Sequence, residues 1–343
     1  MTTKTSGAFQ FQHVVVFLLA VTSLLLTTTT TAAGEKRCHS DDKAALQGIS
    51  AALGNYLASE MDIPCCEWFS VDCDPSTGRV VSFSIMDDAN LTGTIPDAIA
   101  GLAHLQELVV HKLPAISGPI PPAIGKLSNL SLLIISWTAF SGLIPSFLGE
   151  LTQLTFLDLS FNSLTGSIPA SLAAISNLSG INLSRNRLTG AIPPLLFSES
   201  PREAYLWLSH NNLTGDIPPE FAAVGFSEID LSRNALTGDA SALFGQGKPV
   251  HQIDMDLSRN GFSFNLSGVE LPAQLSGMDL SHNAIYGGIP AQVANLSNLV
   301  LFNVSYNRLC GEVPTGGNMG RFDAYSYQHN KCLCGAPLAN PCQ

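Results

Sequence analysis

The chain contains 343 residues, and its charge is unevenly distributed along its length. The first 33 residues contain one lysine and no acidic residue, so the remainder has 15 Lys and Arg against 27 Asp and Glu, a formal charge of −12. This balance argues against a nucleic-acid partner, because neutralising phosphates requires a basic face. Charged residues make up 13% of the chain, about half of the ~25% that is usual for soluble domains. However, no segment after residue 33 contains the roughly 18–20 consecutive apolar residues that a membrane-spanning helix needs.

The N-terminal segment has the features of a secretory leader. Lys4 provides a positive start, and the apolar core from Val14 to Leu26 is too short to cross a bilayer. Small residues follow at Thr31-Ala32-Ala33, where a signal peptidase would cut. We therefore predict a signal peptide at residues 1–33 and a mature chain that is secreted, without a membrane span.

A single amphipathic helix is predicted next. Ser40 can cap a helix of about thirteen residues that starts at Asp41-Asp42 and ends at Gly54. Leu46, Ile49 and Leu53 form its apolar stripe. Such a helix would cover the open end of the core that follows.

Eight cysteines fall into two groups near the ends of the mature chain. A secreted protein meets an oxidising compartment, which favours disulfides. Zinc binding is the alternative for any four cysteines, but the adjacent pair Cys65-Cys66 has poor spacing for metal ligands. We predict two disulfide-stapled caps, at residues 34–79 and 310–343, with no metal and no cofactor. The cysteines are Cys38, Cys65, Cys66, Cys73, Cys310, Cys332, Cys334 and Cys342.

The cysteine-free middle of the chain is an internal repeat. The phrase Asn162-Ser-Leu-Thr-Gly-Ser-Ile-Pro169 has echoes that begin at Asn186, Asn211, Asn234, Asn260, Asn283 and Asn307. Earlier echoes place Ala89, Pro114 and Thr138 at the same phase. Ten units of about 24 residues, spanning residues 80–309, fall within the leucine-rich-repeat range of about 20–29.

The residues of one unit predict how it folds. Leu157 and Leu159 alternate with polar neighbours, which is typical of a short strand with one buried face. The side-chain amide of Asn162 can bond the backbone of the following turn, and Pro169 ends the second extended piece. No unit can bury its leucines alone, so neighbours must stack. The predicted fold is an α/β repeat solenoid, a right-handed superhelix with a concave parallel β-sheet.

Several segments resemble one family of plant extracellular leucine-rich-repeat proteins, the polygalacturonase-inhibiting proteins. The resemblance covers essentially all of the mature chain. It implies binding and inhibition of microbial endopolygalacturonases in the plant cell wall, and also binding to pectin. The segments are Cys65-Cys66-Glu-Trp68 through Cys73-Asp74, Leu236-Thr-Gly-Asp-Ala-Ser-Ala-Leu-Phe-Gly245, Cys310-Gly-Glu-Val-Pro314, Gly316-Gly-Asn318 and Asn330-Lys-Cys-Leu-Cys-Gly335.

The resemblance also assigns individual residues. It implies sequential disulfides, namely Cys38–Cys65, Cys66–Cys73, Cys310–Cys332 and Cys334–Cys342. Asp158 and Asp230 match aspartates of the inhibitory concave face of the family.

The exposed strand residues predict a partner-binding surface. Four residues before the repeat asparagine, an acidic column contains Asp158, Asp230, Asp256 and Asp279, and Glu228 and Asp254 add to its charge. Five of these carboxylates crowd three successive strands, at a cost of about 1 kcal/mol for each like-charged pair at 4 Å even in water. We call Glu228, Asp230, Asp254, Asp256 and Asp279 the acidic strip. The alternative, solvated decoration, remains open for any single residue.

Two further sets of residues complete the candidate surface. Trp207 and Tyr205 are candidate aromatic anchors, with shape-filling on the sheet as the alternative. One residue before the repeat asparagine, Arg185, Arg233 and Arg259 form a column that could bind the carboxylates of pectin (homogalacturonan).

Glycosylation is predicted at six sequons. They are Asn90, Asn129, Asn177, Asn212, Asn265 and Asn295. Asn182 and Asn303 are also in sequons, but they point onto the concave face, where a glycan would obstruct a partner.

A non-catalytic role is predicted, although Ser209, His210 and Asp230 could be assembled into a hydrolytic trio. A triad needs a sheltered pocket, whereas this face is open. The predicted function is a secreted, monomeric inhibitor of fungal or insect endopolygalacturonases in the cell wall. The alternative is an extracellular recognition module or receptor partner in development or signalling.

Overall fold

Each repeat unit contributes one strand to a parallel sheet that follows the whole repeat region. The structure is a computed structural model that describes residues 38–198, 203–245 and 252–342, so the predicted signal peptide at residues 1–33 lies outside the described residues. Neighbouring units pair position by position, with Leu157 opposite Ile181 and Ile181 opposite Leu206. The parallel strands of this concave sheet are Val80–Met86, Glu107–Gly118, Leu132–Leu143, Phe156–Asp158, Gly180–Asn182, Ala204–Trp207, Phe226–Asp230, Ile253–Asp256, Leu275–Asp279 and Leu301–Asn303. In the N-terminal cap, Val71–Cys73 adds an antiparallel strand beside the first of them.

A second series of parallel strands lies beyond the asparagine turn of the units. The leucine that begins each Leu-Thr-Gly phrase is buried in the core, as Leu164 and Leu188 are. The sequence predicts a second extended piece in each unit, and the structure shows that these pieces also pair. These strands are Ser163–Gly166, Arg187–Gly190, Asn212–Gly215, Ala235–Gly238, Gly261–Phe262, Tyr286–Gly287, Arg308–Glu312 and Cys332–Cys334.

Short 3-10 helices close most units on the side away from the concave sheet. In the repeats they usually start directly after a proline, which is the N-cap residue. The predicted leucine-rich-repeat solenoid is confirmed. The 3-10 helices are Ala58–Glu60, Cys65–Glu67, Asp97–Gly101, Pro122–Lys126, Ser146–Glu150, Ala170–Ala174, Pro219–Ala223, Ser241–Leu243, Leu266–Gly268, Ala291–Asn295, Met319–Arg321 and Ala324–Ser326.

The repeat asparagines form a ladder of hydrogen bonds that joins one unit to the next. The Asn186 amide donates to Leu159 O of the preceding unit at 2.8 Å and to Leu183 O of its own unit at 3.1 Å, while Asn186 Oδ1 accepts from Leu164 N at 2.9 Å. Asn330 in the C-terminal cap makes the corresponding bonds to Val304 O and Leu309 N. Each asparagine thus satisfies backbone groups that the core would otherwise leave without partners.

The phase assigned to the first two echoes is wrong by one residue. Leu113 lies opposite Thr138 in the sheet, so Leu113, and not Pro114, occupies the asparagine position. Because Met86 pairs with His111, Asp88 replaces Ala89 in the same way. Leu113 is buried and cannot make the asparagine bonds, and without that marker the sequence did not fix the phase.

The predicted N-terminal helix is present as Ser40–Ala52. Its cap is His39 and not Ser40, because His39 Nδ1 accepts from Asp41 N at 3.3 Å. The fully buried Asp42 fastens the helix to the first strand by accepting from Arg79 Nη2 at 2.7 Å, Arg79 Nε at 3.0 Å and Val80 N at 2.7 Å. This buried pair was not recognised in the sequence, since Asp42 also fits a helix start.

Disulfides staple both caps in the sequential pattern that the family resemblance implies. Among the described residues, the one group with metal-ligand proximity is Cys38, Cys65 and Cys66, and all three are already in disulfides. Within the same described residues, none of the helices is both apolar and long enough to span a membrane. The pairs are Cys38–Cys65, Cys66–Cys73, Cys310–Cys332 and Cys334–Cys342.

Candidate functional site

The concave sheet brings the five residues of the acidic strip together. Asp230 lies directly opposite Asp256, which lies opposite Asp279 on the next strand. Glu228 is paired with Asp254 in the adjoining column. Neighbouring strands are about 4.8 Å apart, so the strip concentrates five carboxyl groups on three adjacent strands.

Asp158 stands apart from the strip. Asn182 and Trp207 occupy the two intervening positions of its column, so no acidic neighbour adjoins Asp158 there. Its side chain is only 2% exposed. The expectation that every residue of the acidic column is exposed is therefore wrong for Asp158.

Residues of this column bond their own backbone. Asp158 Oδ1 accepts from Ser160 N at 2.8 Å, and Asp230 Oδ1 accepts from Ser232 N at 3.0 Å and from Ser232 Oγ at 2.6 Å. We call this set the Asx column, because each member accepts from the N–H two residues later. Its members are Asp158, Asn182, Asp230, Asp256, Asp279 and Asn303.

These hydrogen bonds give the aspartates a structural role that the sequence reasoning missed. The signal was available, because in each case an Asp or Asn is followed by serine two residues later. Asn182 and Asn303 show that an amide oxygen fills the role without charge.

Burial changes the protonation of the Asx column. Burial raises the pKa of Asp158 to about 6. Burial, with the neighbouring charges of Asp230 and Asp279, raises the pKa of Asp256 to about 7. The pKa of Asp230 is also raised by burial, against the opposing effects of the Ser232 and Ser209 hydroxyls and of Arg185. At pH 5, Asp158 and Asp256 are therefore mostly protonated.

Trp207 fills space on the sheet. It is 6% exposed, stacks with Tyr205 at a centroid distance of 5.7 Å and meets the edge of Phe156 at 6.1 Å. Its indole Nε1 donates to Glu228 Oε1 at 2.7 Å. The structure thus favours the shape-filling alternative for Trp207, whereas Tyr205 is only half-buried.

The residues just before the repeat asparagines all adopt a left-handed backbone. Their φ angles lie between 52° and 58°, a region that costs a residue with a side chain roughly 1–2 kcal/mol. None is β-branched, which is the sequence signal that could have predicted the conformation. We call Asp87, Lys112, Trp137, Phe161, Arg185, His210, Arg233, Arg259, His282, Tyr306 and, in the C-terminal cap (φ 59°), His329 the left-handed column.

Rings of the left-handed column stack on one another from unit to unit. Trp137 stacks on Phe161 at 3.6 Å between centroids, and Arg185 lies over the other side of this pair, 5.0 Å from the Phe161 centroid. At the other end, Tyr306 stacks on both His282 and His329 at 4.2 and 4.1 Å. Because these residues share one backbone conformation, their side chains point in the same direction, and side chains of successive units come into contact.

The middle of the left-handed column is cationic. Arg185, Arg233 and Arg259, the predicted pectin-binding residues, all lie in it. Burial, together with the neighbouring Arg185 and Arg233, lowers the pKa of His210 to about 4. At mildly acidic pH, the positive charge in the middle of the left-handed column therefore comes from the arginines rather than from His210.

All six predicted glycosylation asparagines are exposed, whereas Asn182 is buried and Asn303 is half-buried. The excluded pair also use their amide oxygens in the Asx column. This arrangement leaves the concave sheet clear of the predicted glycans.

Comparison with known proteins places this architecture in a family. The Leucine Rich Repeat family model matches residues 153–175, 177–198 and 204–224. Polygalacturonase inhibitor 1 of Arabidopsis thaliana is 56% identical over 306 residues, which cover 88% of this chain and 92% of that protein. The chain belongs to the polygalacturonase-inhibitor family of leucine-rich-repeat proteins. The polygalacturonase inhibitor of Pyrus communis is 54% identical, over 88% of this chain and 91% of its own.

A solved structure shares the same architecture. A plant ice-binding protein superposes with a TM-score of 0.84 at 44% sequence identity, over 89% of this chain and 99% of that protein. Polygalacturonase inhibitors and an ice-binding protein thus share one solenoid, so function must be sought in the surface residues.

Proposed function

We propose that this chain is a secreted protein that binds and inhibits fungal or insect endopolygalacturonases in the plant cell wall. The observation that carries the proposal is the 56% identity to a named polygalacturonase inhibitor over 92% of its length. The acidic strip on an open concave sheet supplies a physical means of binding. Inhibition is then occupation of the enzyme by a protein that is not itself catalytic.

Charge complementarity explains how such docking would work. An endopolygalacturonase binds a polyanionic substrate, so its cleft must attract negative charge. The acidic strip resembles that substrate in charge but offers no glycosidic bond to cleave. Opposite charges across an interface accelerate association, and salt weakens that acceleration.

We further propose which residues of the strip contact the enzyme. Glu228, Asp230, Asp254, Asp256 and Asp279 all keep part of their surface exposed, and Tyr205 adjoins them. Asp158 and Trp207 are too buried to touch a partner, and we assign them to supporting the sheet. A cationic group placed against Asp256 favours its ionised form, so docking at mildly acidic pH releases a proton.

The first test uses the protein as secreted and a panel of fungal and insect endopolygalacturonases. Release of reducing ends from polygalacturonate is measured at pH 5 and low salt, with and without the protein. Inhibition of at least one enzyme is expected. If none is inhibited, the proposal fails, and the alternative of an extracellular recognition module or receptor partner is favoured.

A matched pair of variants then tests the acidic strip. Asp254→Asn/Asp279→Asn removes two charges from the strip, whereas Asp97→Asn/Glu220→Gln removes two exposed charges from 3-10 helices outside it. We expect the first variant to raise the inhibition constant at least about tenfold, or about 1.4 kcal/mol, and the second to match the parent. Equal inhibition by both variants would show that the strip is not the docking surface.

A further inference from the structure

The acidic strip ends at two exposed apolar side chains beside the C-terminal cap. Leu301 continues the column of Glu228, Asp254 and Gly277, directly opposite Gly277 on the neighbouring strand. Leu301 is 45% exposed, and Tyr325 in the cap is 72% exposed. The strand Leu301–Asn303 packs against the 3-10 helix Ala324–Ser326, which carries Tyr325. We call Leu301 and Tyr325 the apolar step.

The cap holds Tyr325 outward. Five residues before the repeat asparagine, the preceding units place the buried residues Met255, Met278 and Phe302. Tyr325 has the same spacing from Asn330, but Asp323 Oδ1 accepts from Tyr325 N at 2.9 Å and starts a 3-10 helix at this point. The chain therefore leaves the strand path, and the ring lies in solvent.

Gly277 connects the apolar step to the strip. A Cβ atom at Gly277 would collide with the Asp254 carboxyl, which leans over this position. Asp254 Oδ1 accepts there from Ser276 Oγ at 2.9 Å, and its Oδ2 accepts from Gln252 Nε2 at 2.7 Å. The fixed Asp254 carboxyl thus lies over Gly277, between the acidic strip and the exposed Leu301.

A partner of ordinary interface size would extend beyond the acidic strip. Three strands of acidic strip span only about 10 Å, whereas a specific interface of standard size buries roughly 800 Å² on each partner. From Tyr205 to Tyr325 the surface crosses five strand spacings, or about 24 Å, so a partner that contacts both features covers more than twice the length of the acidic strip alone. A second copy of this chain is disfavoured as the occupant, because two acidic strips would repel each other.

We propose that the apolar step packs against an apolar rim of the endopolygalacturonase cleft and selects which of these enzymes is inhibited. The inference rests on the proposed function, and it adds a determinant that charge cannot provide. Clefts that bind one polyanionic substrate are alike in charge, so discrimination requires uncharged contacts at their edges. Exposed tyrosines are frequent at such points, because the ring gives a large contact area at low entropic cost.

The test compares substitutions at the step with one elsewhere. Tyr325→Ser and Leu301→Ser are prepared together with Tyr286→Ser, which alters a tyrosine that is 48% exposed in the second series of strands. Inhibition constants are measured against every enzyme that the parent inhibits, at low salt and at about 0.5 M NaCl. Circular dichroism and melting temperature check the fold, and Tyr325→Phe retains the ring.

We expect Tyr325→Ser to raise the inhibition constant about 10- to 30-fold for some enzymes and about threefold or less for others. That ratio should persist at high salt, because the contact is apolar, while Tyr325→Phe and Tyr286→Ser match the parent. If Tyr325→Ser and Leu301→Ser match an active parent for every enzyme, the apolar step is overturned and the proposed function stands. A parent without inhibitory activity would overturn both.

Discussion

Two columns of side chains, the Asx column and the left-handed column, run along the same edge of the concave sheet, and they use polar groups in opposite ways. In each unit that contributes to both, their residues are three positions apart. In the Asx column, carboxyls fold back onto their own backbone, as Asp158 does onto Ser160 N. In the left-handed column, a positive φ aims the side chains outward, where Phe161 and Arg185 stack. Charge in the first column is partly hidden by burial and protonation, whereas charge in the second is displayed. The sign of the charge on a residue thus does not by itself show whether the residue stabilises the fold or contacts a partner.

The largest effect of breaking this contrast is expected at Asp158. At pH 5, Asp158→Ala leaves the Ser160 N–H without its acceptor in a buried position, which costs about 1–3 kcal/mol. Asp158→Asn keeps an acceptor, as Asn182 does in the next unit, and should stay within about 0.5 kcal/mol of the parent. Urea-induced unfolding followed by circular dichroism measures both. If alanine and asparagine have the same effect, the hydrogen bond does not support the fold.

The pH dependence of stability sharpens the comparison at Asp256. Its pKa is raised to about 7 from the ordinary value of 3.8, so the folded state holds a proton that the unfolded state has lost. The contribution of Asp256 to the free energy of unfolding is thus fully present below about pH 4 and falls as the pH rises toward 7. Asp256→Asn should remove this slope and stabilise the protein at pH 8, on the order of 2 kcal/mol.

Melting temperatures of the parent and of Asp256→Asn between pH 4 and pH 8 provide the measurement. Asn303→Asp is the converse variant, since it places a carboxyl beside Asp279 at an Asx position that is now neutral. It should steepen the fall of stability with pH. Parallel profiles for parent and Asp256→Asn would contradict the assignment.

The left-handed column is expected to respond to backbone chemistry. Arg259 has a φ of 58°, which a β-branched residue tolerates poorly. Arg259→Val should cost about 1–2 kcal/mol, whereas Arg259→Gly should be neutral or slightly stabilising, because glycine adopts positive φ freely. Thermal unfolding at pH 6 distinguishes them. Valine as stable as glycine at this position would refute the argument.

The smallest effect concerns pectin. The arginines of the left-handed column could bind galacturonate carboxylates bidentately, although the mature chain carries a formal charge of −12. Replacing Arg185, Arg233 and Arg259 together by Gln should advance elution from a polygalacturonate column in a salt gradient at pH 5. Unchanged retention would remove this interaction. The matched control replaces three exposed arginines outside the concave sheet by Gln, namely Arg187, Arg308 and Arg321.

The sequence by itself determined the repeat, the solenoid and the concave position of the acidic strip. A 24-residue period with apolar residues at fixed positions predicts a stack of units, since each leucine can be buried only by the neighbouring unit. The sequence could also place Glu228 beside Asp254 and Asp230 beside Asp256, because register in a stacked repeat follows from alignment. The sequence alignment of the units was wrong where the repeat asparagine is absent, at Leu113 and Asp88.

Only the tertiary structure decided the protonation and exposure of the individual site residues. Asp158 and Asp279 occupy the same position of their units, but Asp158 is buried while Asp279 keeps part of its surface exposed. Trp207 also occupies this position of its unit, although it is not part of the Asx column, and the rings of Tyr205 and Phe156 pack against it. Tyr325 stands at the spacing of a core residue, yet the cap turns it into solvent. The physical reason is that the burial of a side chain depends on its neighbours in the adjoining units, whereas the repeat pattern specifies only the position of a residue within its own unit.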